Sequence, residues 1–333
     1  MQASNLSILV ILLLFGVQSL QAASELFEKL YSGQEFSYSC EDPALPKNSR
    51  EGKFRHKRSY IVSKTAKDNH ASDDLTLNPG QERIHSVKVQ YGFFGTDLED
   101  EYVNLYYLNK QDCQFEKVGR ARTNSDGIVN FKITAPERYG FHEFTARVDG
   151  DSTTVQFSAQ VVPENQKFII FDIDGTLTTG DGELIYQIFK KIFSSDYVPK
   201  EYEGAQKALR ILKKRGYKFI YITGRPYPLH QITRDWLSSK GMIKGSLYLT
   251  KALNQSYPSK AGVGRFKRNR IQLLLADGHK IVHAFGNADT DIYAYLQAGI
   301  SASNVHIIGK HAGEESTQPI ASYPEYYDTL KKF

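Results

Sequence analysis

The stretch Lys167–Thr178, KFIIFDIDGTLT, decides how the second half of this chain folds. Phe168 to Phe171 form an unbroken apolar run, the pattern of a strand buried on both faces of a parallel sheet. Two carboxylates, Asp172 and Asp174, follow where that run stops, and Gly175 then allows a tight turn. The same texture repeats toward the C-terminus. An amphipathic helix is expected over roughly Glu203 to Arg215, stopped by Gly216. Strand KFIYIT (218–223) follows, then a helix around HQITRDWLSSK (230–240) that stops at Gly241. Strand SLYLT (246–250), helix GRFKRNRIQLLLA (264–276), strand IVHAFG (281–286), helix TDIYAYLQA (290–298) and strand VHIIG (305–309) complete the series. Strands alternating with helices predict an α/β domain over 164–333, built on a Rossmann-like, doubly wound parallel sheet.

Upstream the texture changes. From Ile84 to Val162, β-branched and aromatic runs such as SVKVQYGFF, EYVNLYYL, GIVNFKI, HEFTARV and TTVQFSAQVV are separated by Gly- and Asp-rich breaks. This spacing predicts a small all-β sandwich over 81–163, with no catalytic constellation in it. Residues 24–80 read as a polar, basic segment. Its densest cluster, EGKFRHKRS, carries Lys53, Arg55, Lys57 and Arg58. An anionic-lipid contact is one reading of that cluster; a solvated linker is the other, favoured by the lack of apolar periodicity.

At the N-terminus Ile8–Val17 reads ILVILLLFGV, too short to span a bilayer as a mature helix, and is followed by Ala22 and Ala23. This is the pattern of a secretory signal peptide over 1–23, although no Lys or Arg precedes the apolar run; a signal anchor is the competing reading. A secreted or lumenal location follows. The two cysteines, Cys40 and Cys113, then permit one disulfide or two thiols, and Asn254-Gln255-Ser256 is a glycosylation acceptor sequence. A net charge of +5 over 333 residues leans toward anionic partners. No nucleic-acid motif or long Lys/Arg-only tract accompanies it, so phosphorylated substrates or acidic headgroups are the expected partners.

Ligands bind such sheets at the carboxyl ends of the strands. Those positions hold an ordered set: Asp172-Ile173-Asp174-Gly175-Thr176, then Thr223-Gly224-Arg225, then Lys267, then Gly286-Asn287-Ala288-Asp289-Thr290-Asp291. A carboxylate can accept a phosphoryl group as an aspartyl phosphate, the role expected of Asp172. Asp174 would protonate the leaving alkoxide and then activate water. Paired carboxylates repel a phosphate, so a hard Mg²⁺ ion is expected, with Asp172, Asp174 through its main-chain carbonyl, Asn287, and Asp289 or Asp291 as ligands. Thr223, Gly224 and Lys267 would hold phosphoryl oxygens. Taken singly each has a plainer use as a turn, a cap or a solvated lysine; four motifs in order favour a site. Arg225, Arg234, Arg265, Arg268 and Arg270 would steer an anionic headgroup or form a solvated surface.

With FDIDGTLT, YITGRP, Lys267 and FGNADTD in that order, the C-terminal half resembles the haloacid dehalogenase superfamily of phosphohydrolases. ITRDWL, GRFK and FGNADTDIYAYLQAGI are similar to the lipin-type domain, with the likeness running from about Lys167 to Lys310. That domain is shared by lipins, which are Mg²⁺-dependent phosphatidate phosphatases, and by membrane-associated phosphatidylinositol transfer proteins of the retinal-degeneration-B type. TNSDGIVNFKI and FHEFTARVDGDST resemble the segment preceding it in the transfer proteins. The resemblance implies phosphatidic acid or a related phosphomonoester as substrate, at a membrane surface. The transfer-protein branch generally lacks the first aspartate and is expected to bind phosphatidic acid without hydrolysis, whereas DIDGT here matches the DxDxT of active lipins. Two alternatives stay open: a non-catalytic phosphatidic-acid sensor, and a phosphatase for soluble phosphomonoesters with Thr178–Pro199 as a small cap.

Overall fold

The computed structural model describes residues 40, 43–92, 95–179, 199–251 and 255–333. The expected signal segment 1–23, most of the expected cap (180–198) and Asn254 of the glycosylation sequence lie outside these residues.

The all-β part comprises strands β1 (Leu75–Leu77), β2 (Glu82–Lys88), β3 (Gln90–Tyr91), β4 (Thr96–Asp97), β5 (Tyr102–Asn109), β6 (Gln114–Arg122), β7 (Ile128–Thr134), β8 (Gly140–Val148) and β9 (Thr154–Val161). One sheet runs in the order β1-β9-β8-β5-β6, with β1 parallel to β9 and the other neighbours antiparallel. β2 and β7 pair as a separate antiparallel ribbon. In β7 Val129, Phe131 and Ile133 are buried and alternate with exposed Asn130, Lys132 and Thr134, as expected of a strand with one face on a core. That face joins Val87 of β2, Leu105 of β5, Phe144 of β8 and Phe157 of β9 in one apolar core, so the ribbon and the sheet form the two layers of a sandwich.

In the span expected as a polar linker, 24–80, the described residues are built into the fold. Lys57–Thr65 form helix α1, and Ala71–Leu77 are buried, ending in β1. Cys40 and Cys113 form a disulfide with their Cα atoms 5.5 Å apart, tying the start of the described chain to the turn between β5 and β6.

The second sheet has strands β10 (Lys167–Phe171), β11 (Lys218–Pro226), β12 (Ser246–Thr250), β13 (Lys280–Gly286), β14 (Val305–Ile308) and β15 (Gln318–Ile320). Its order is β12-β11-β10-β13-β14-β15, and every neighbouring pair is parallel. The helices are α2 (Ala205–Lys214), α3 (His230–Ser239), α4 (Arg265–Ala276), α5 (Asp289–Gln297) and α6 (Tyr323–Leu330). Successive side chains of β10 part to opposite faces. Ile169 and Phe171 pack with α2, α3 and α6, while Phe168 and Ile170 pack with α4 and α5. α2 buries Ala205, Ala208, Leu209 and Leu212 at helical spacing. Both faces of the sheet are thus covered, which makes it a doubly wound parallel sheet and accounts for the apolar run in β10.

From β10 the chain builds outward through β11 to β12, then returns to place β13 on the other side of β10. This reversal puts a crevice at the carboxyl ends of β10 and β13. The free edge of β12 is covered by the segment leading into β1. Asp74 N donates to the Leu247 carbonyl (3.0 Å), and Leu247 N and Leu249 N donate to the carboxylates of Asp74 (2.9 Å) and Asp73 (3.2 Å). Among the described residues no helix is long and apolar enough to cross a membrane.

Candidate active site

Asp172 follows the last residue of β10, its main-chain N–H donating to Phe285 of the adjacent β13 (3.0 Å). The residue is 3% exposed. Oδ1 accepts from Lys267 Nζ of α4 at 2.5 Å, and Oδ2 accepts from the Thr176 hydroxyl at 3.1 Å. The same ammonium donates to Asp291 Oδ1 of α5 at 2.6 Å. Asp291 Oδ2 accepts from the main-chain N–H groups of Asn287 and Ala288 (both 3.1 Å), fixing the loop after β13. Asn287 Oδ1 in turn accepts from Thr176 Oγ1 at 3.4 Å. Sequence reasoning assigned Thr176 no role; the DxDxT pattern in which it stands third is the signal for it.

Backbone geometry makes this closeness possible at two glycines. Gly175 has φ of +79°, and a Cβ there would lie 2.0 Å from Asn287 Nδ2. A Cβ on Gly286 would lie 2.5 Å from that of Asp291. Side chains at either place would push the two loops of the crevice apart.

Asp174 is turned toward a different partner. Arg225, 1% exposed, grips it in a fork, with Nη2 2.7 Å from Oδ1 and Nε 2.9 Å from Oδ2. The Thr223 hydroxyl donates to Asp174 Oδ2 (3.3 Å) and accepts from Arg225 N (3.1 Å). Arg225 Nη1 donates to the Thr233 hydroxyl of α3 at 3.2 Å. Gly224 lies within β11, and its carbonyl accepts from Thr250 (3.4 Å).

The electrostatics follow from burial. Burial pushes the Asp172 carboxyl up to about 7; Lys267 opposes this, while Asp291 and Asp174 add to it. Burial disfavours the Lys267 ammonium, but Asp172 and Asp291 outweigh it and hold this lysine above the ordinary lysine range. When all three carboxyls are ionised, Asp172, Asp174 and Asp291 face two cations (Lys267, Arg225), leaving one negative charge in surplus. A phosphate would be repelled unless a further cation entered. The oxygens of Asp172, Asp291 and Asn287 and the Asp174 carbonyl are hard donors of the kind Mg²⁺ takes, so the donor chemistry fits that ion. Among the described residues no group of three or more His, Cys, Asp or Glu side chains stands ready to hold a metal.

The expected site residues therefore gather in part. Asp172, Lys267, Asp291 and Asn287 meet in one cluster, and Asp174, Thr223 and Arg225 form its neighbour. Asp289 does not join them: it is exposed at the first residue of α5, because the capping geometry turns Asp291 inward instead. Three of the arginines expected to steer a headgroup are also committed elsewhere. Arg225 pairs with Asp174, Arg234 with Asp74 (2.7 Å) and Arg270 with Asp73 (2.6 Å). Arg268 donates to the Asn269 carboxamide (2.8 Å), and Arg265 remains exposed.

Residues 169–309 match the model of the PITM 1-3 LNS2 domain, and residues 68–161 match that of the PITM 1-3 beta-sandwich domain. Membrane-associated phosphatidylinositol transfer protein 3 of Homo sapiens is 26% identical over 283 residues, covering 83% of this chain and 27% of that protein. Protein retinal degeneration B of Drosophila melanogaster is 26% identical over 264 residues, covering 78% of this chain and 20% of that protein. The chain thus spans 20% to 27% of the length of these two relatives. Among solved structures, the cobalt-bound deoxy-D-mannose-octulosonate 8-phosphate phosphatase of Haemophilus influenzae overlays 50% of this chain and 88% of its own, at 17% identity and a TM-score of 0.34. Over residues 68–161 and 169–309 this chain is similar to the β-sandwich and LNS2 domains of the PITM 1-3 proteins.

Proposed function

We propose that this protein is a Mg²⁺-dependent phosphoric monoester hydrolase of the lipin type, acting on phosphatidic acid or a related phosphomonoester. The observation that carries this reading is Asp172: a buried carboxylate at the carboxyl end of the central strand, held by Lys267 at 2.5 Å and by Thr176 at 3.1 Å. That is the setting of an oriented nucleophile with a cation beside it to take up phosphoryl charge.

Asp172 attacks phosphorus, the bond from phosphorus to the alkoxide oxygen breaks, and an aspartyl phosphate forms. Asp174, after releasing Arg225 and taking up a proton from solvent, gives that proton to the departing alkoxide. It then takes a proton from water as that water attacks the aspartyl phosphate, which returns Asp172 and frees inorganic phosphate. Lys267 and Thr223 hold phosphoryl oxygens. Asp172, Asp291, Asn287 and the Asp174 carbonyl would hold a Mg²⁺ ion, which would neutralise charge between the carboxylates and the phosphate.

The lipid substrate is supported by the relatives, which are named as membrane-associated phosphatidylinositol transfer proteins. A secretory location is supported by the leader pattern and by the disulfide, since such bonds persist in oxidising compartments. One observation favours a second reading, a phosphatidic-acid-binding protein without turnover: the fork between Arg225 and Asp174 occupies the group that would protonate the alkoxide.

The test is phosphate release from phosphatidic-acid vesicles by the full chain and its Asp172→Asn variant, with and without Mg²⁺. Mg²⁺-dependent release that the variant lacks is the expected result. Vesicle binding by both proteins without release would replace the hydrolase with the binding reading.

A further inference from the structure

The aspartate pair Asp73-Asp74 sits in the sandwich segment leading into β1, yet its contacts lie largely in the parallel-sheet domain. Asp74 is 1% exposed. Its Oδ1 accepts from Arg234 Nη2 of α3 at 2.7 Å and from Ser158 N of β9 at 2.6 Å, and its Oδ2 accepts from Leu247 N of β12 at 2.9 Å. Arg234 also donates to His230, one turn earlier on α3, at 2.9 Å. The residue before Arg234 is Thr233, whose hydroxyl accepts from Arg225 Nη1. A continuous chain of contacts thus runs from the sandwich to the crevice: Asp74, Arg234, the first turns of α3, Thr233, Arg225, Asp174. Asp73 acts in parallel on the other helix. It pairs with Arg270 of α4, which stands one turn after Lys267.

We infer that Asp74 of the sandwich is a positioning residue for the strand-end site, holding α3 so that Thr233 keeps Arg225 against Asp174. The catalytic consequence rests on the proposed phosphatase reading; the geometric one does not. A guanidinium fork is directional, so a displaced α3 would misalign both of its bonds to the carboxylate. Small misplacements of catalytic groups carry large rate costs. The sandwich on this view completes the site rather than merely accompanying it.

Trp236 gives a direct readout. It is the single tryptophan of the chain, lies on α3, is 4% exposed, and its ring stands 6.0 Å from the Arg225 guanidinium carbon. Its emission therefore reports the placement of α3 beside Arg225. In the full-length Asp74→Asn variant, emission is expected to shift to longer wavelength. Phosphate release from saturating phosphatidic-acid vesicles should fall about tenfold, with KM changed by less than about twofold. Asp74→Glu should restore part of both. Arg83→Gln breaks a different ion pair between the two parts, Arg83 with Asp277 at 2.6 Å, and should leave the emission as it was.

A folded Asp74→Asn protein with unchanged Trp236 emission overturns the inference, whatever its activity. So does an equal shift in Arg83→Gln, which would mean general loosening between the two parts. If the unmodified protein releases no phosphate, the hydrolase reading fails and the emission alone decides the positioning role. If Asp74→Asn does not fold, Arg234→Gln cuts the same link from the α3 side and is read in the same way.

Discussion

Lys267 is the residue on which the buried cluster depends, because a single ammonium serves two carboxylates that would otherwise face each other out of water. Removing one partner from a buried ionic group commonly costs about 3–5 kcal/mol, far more than the intact group contributes. Lys267→Met is therefore expected to lose stability of that order in denaturant titration, and Lys267→Met combined with Asp291→Asn should recover part of it. A single variant that unfolds at the parent midpoint would remove the ammonium from its assigned place. Gly175 makes the complementary prediction for backbone. At φ of +79°, Gly175→Ala adds strain of about 1 kcal/mol and drives a Cβ toward the Asn287 carboxamide. Modest destabilisation with a large loss of phosphate release is expected; parent-level release from that variant would show that Asn287 has room to retreat without consequence.

At the scale of elements, legibility followed pattern strength. β10 and β12 were readable from apolar runs alone, and α2 from its helical spacing. β6 escaped because QFEKVGRAR is an edge strand, largely exposed on both faces, and so carries no apolar alternation. β15 is three residues long with Pro319 in its middle, and β1 is also three residues, below the length at which periodicity exists. α1 lay hidden among lysines and arginines, since only Ser59 of its nine residues is buried. The strand-end residues were legible because the order of strands predicts where carboxyl ends converge. The Asp74–Arg234 contact was not, because nothing local marks an aspartate whose partner lies 160 residues away. The disulfide stood open in the sequence and closes a span of 73 residues. Cys113→Ser is expected to cost about 2–4 kcal/mol in denaturant unfolding, and the parent protein in reductant should match it. A variant that unfolds at the parent midpoint would mean that the bridge adds no stability.

For the whole molecule, two buried histidines and a half-buried one set an acid limit. Burial pushes His85 down to about 3, with Lys251 and Arg270 adding to it; burial and Lys167 take His283 to about 4; burial and then His283 take His306 to about 3. In the unfolded chain each takes up a proton near pH 6.5. Stability is thus fully present above about pH 6.5 and falls as pH drops from there, down to about 4 for His283 and about 3 for His85 and His306, by up to ~1.4 kcal/mol per pH unit for each histidine. Thermal midpoints at pH 7.5, 6 and 5 should decline in that order, and less steeply in His306→Gln; a flat profile would contradict the burial of His85 and His306. The shared border between the two parts has a further effect, in time rather than in energy. Asp73 and Asp74 leave the ribosome long before residues 234–270, which supply their partners in the parallel-sheet domain across gaps of up to 197 residues. The sandwich is made first but cannot close this border until the younger half of the chain has emerged. During synthesis it must wait with two aspartates and the flank of β9 open to water, the interval in which a holding chaperone would find it.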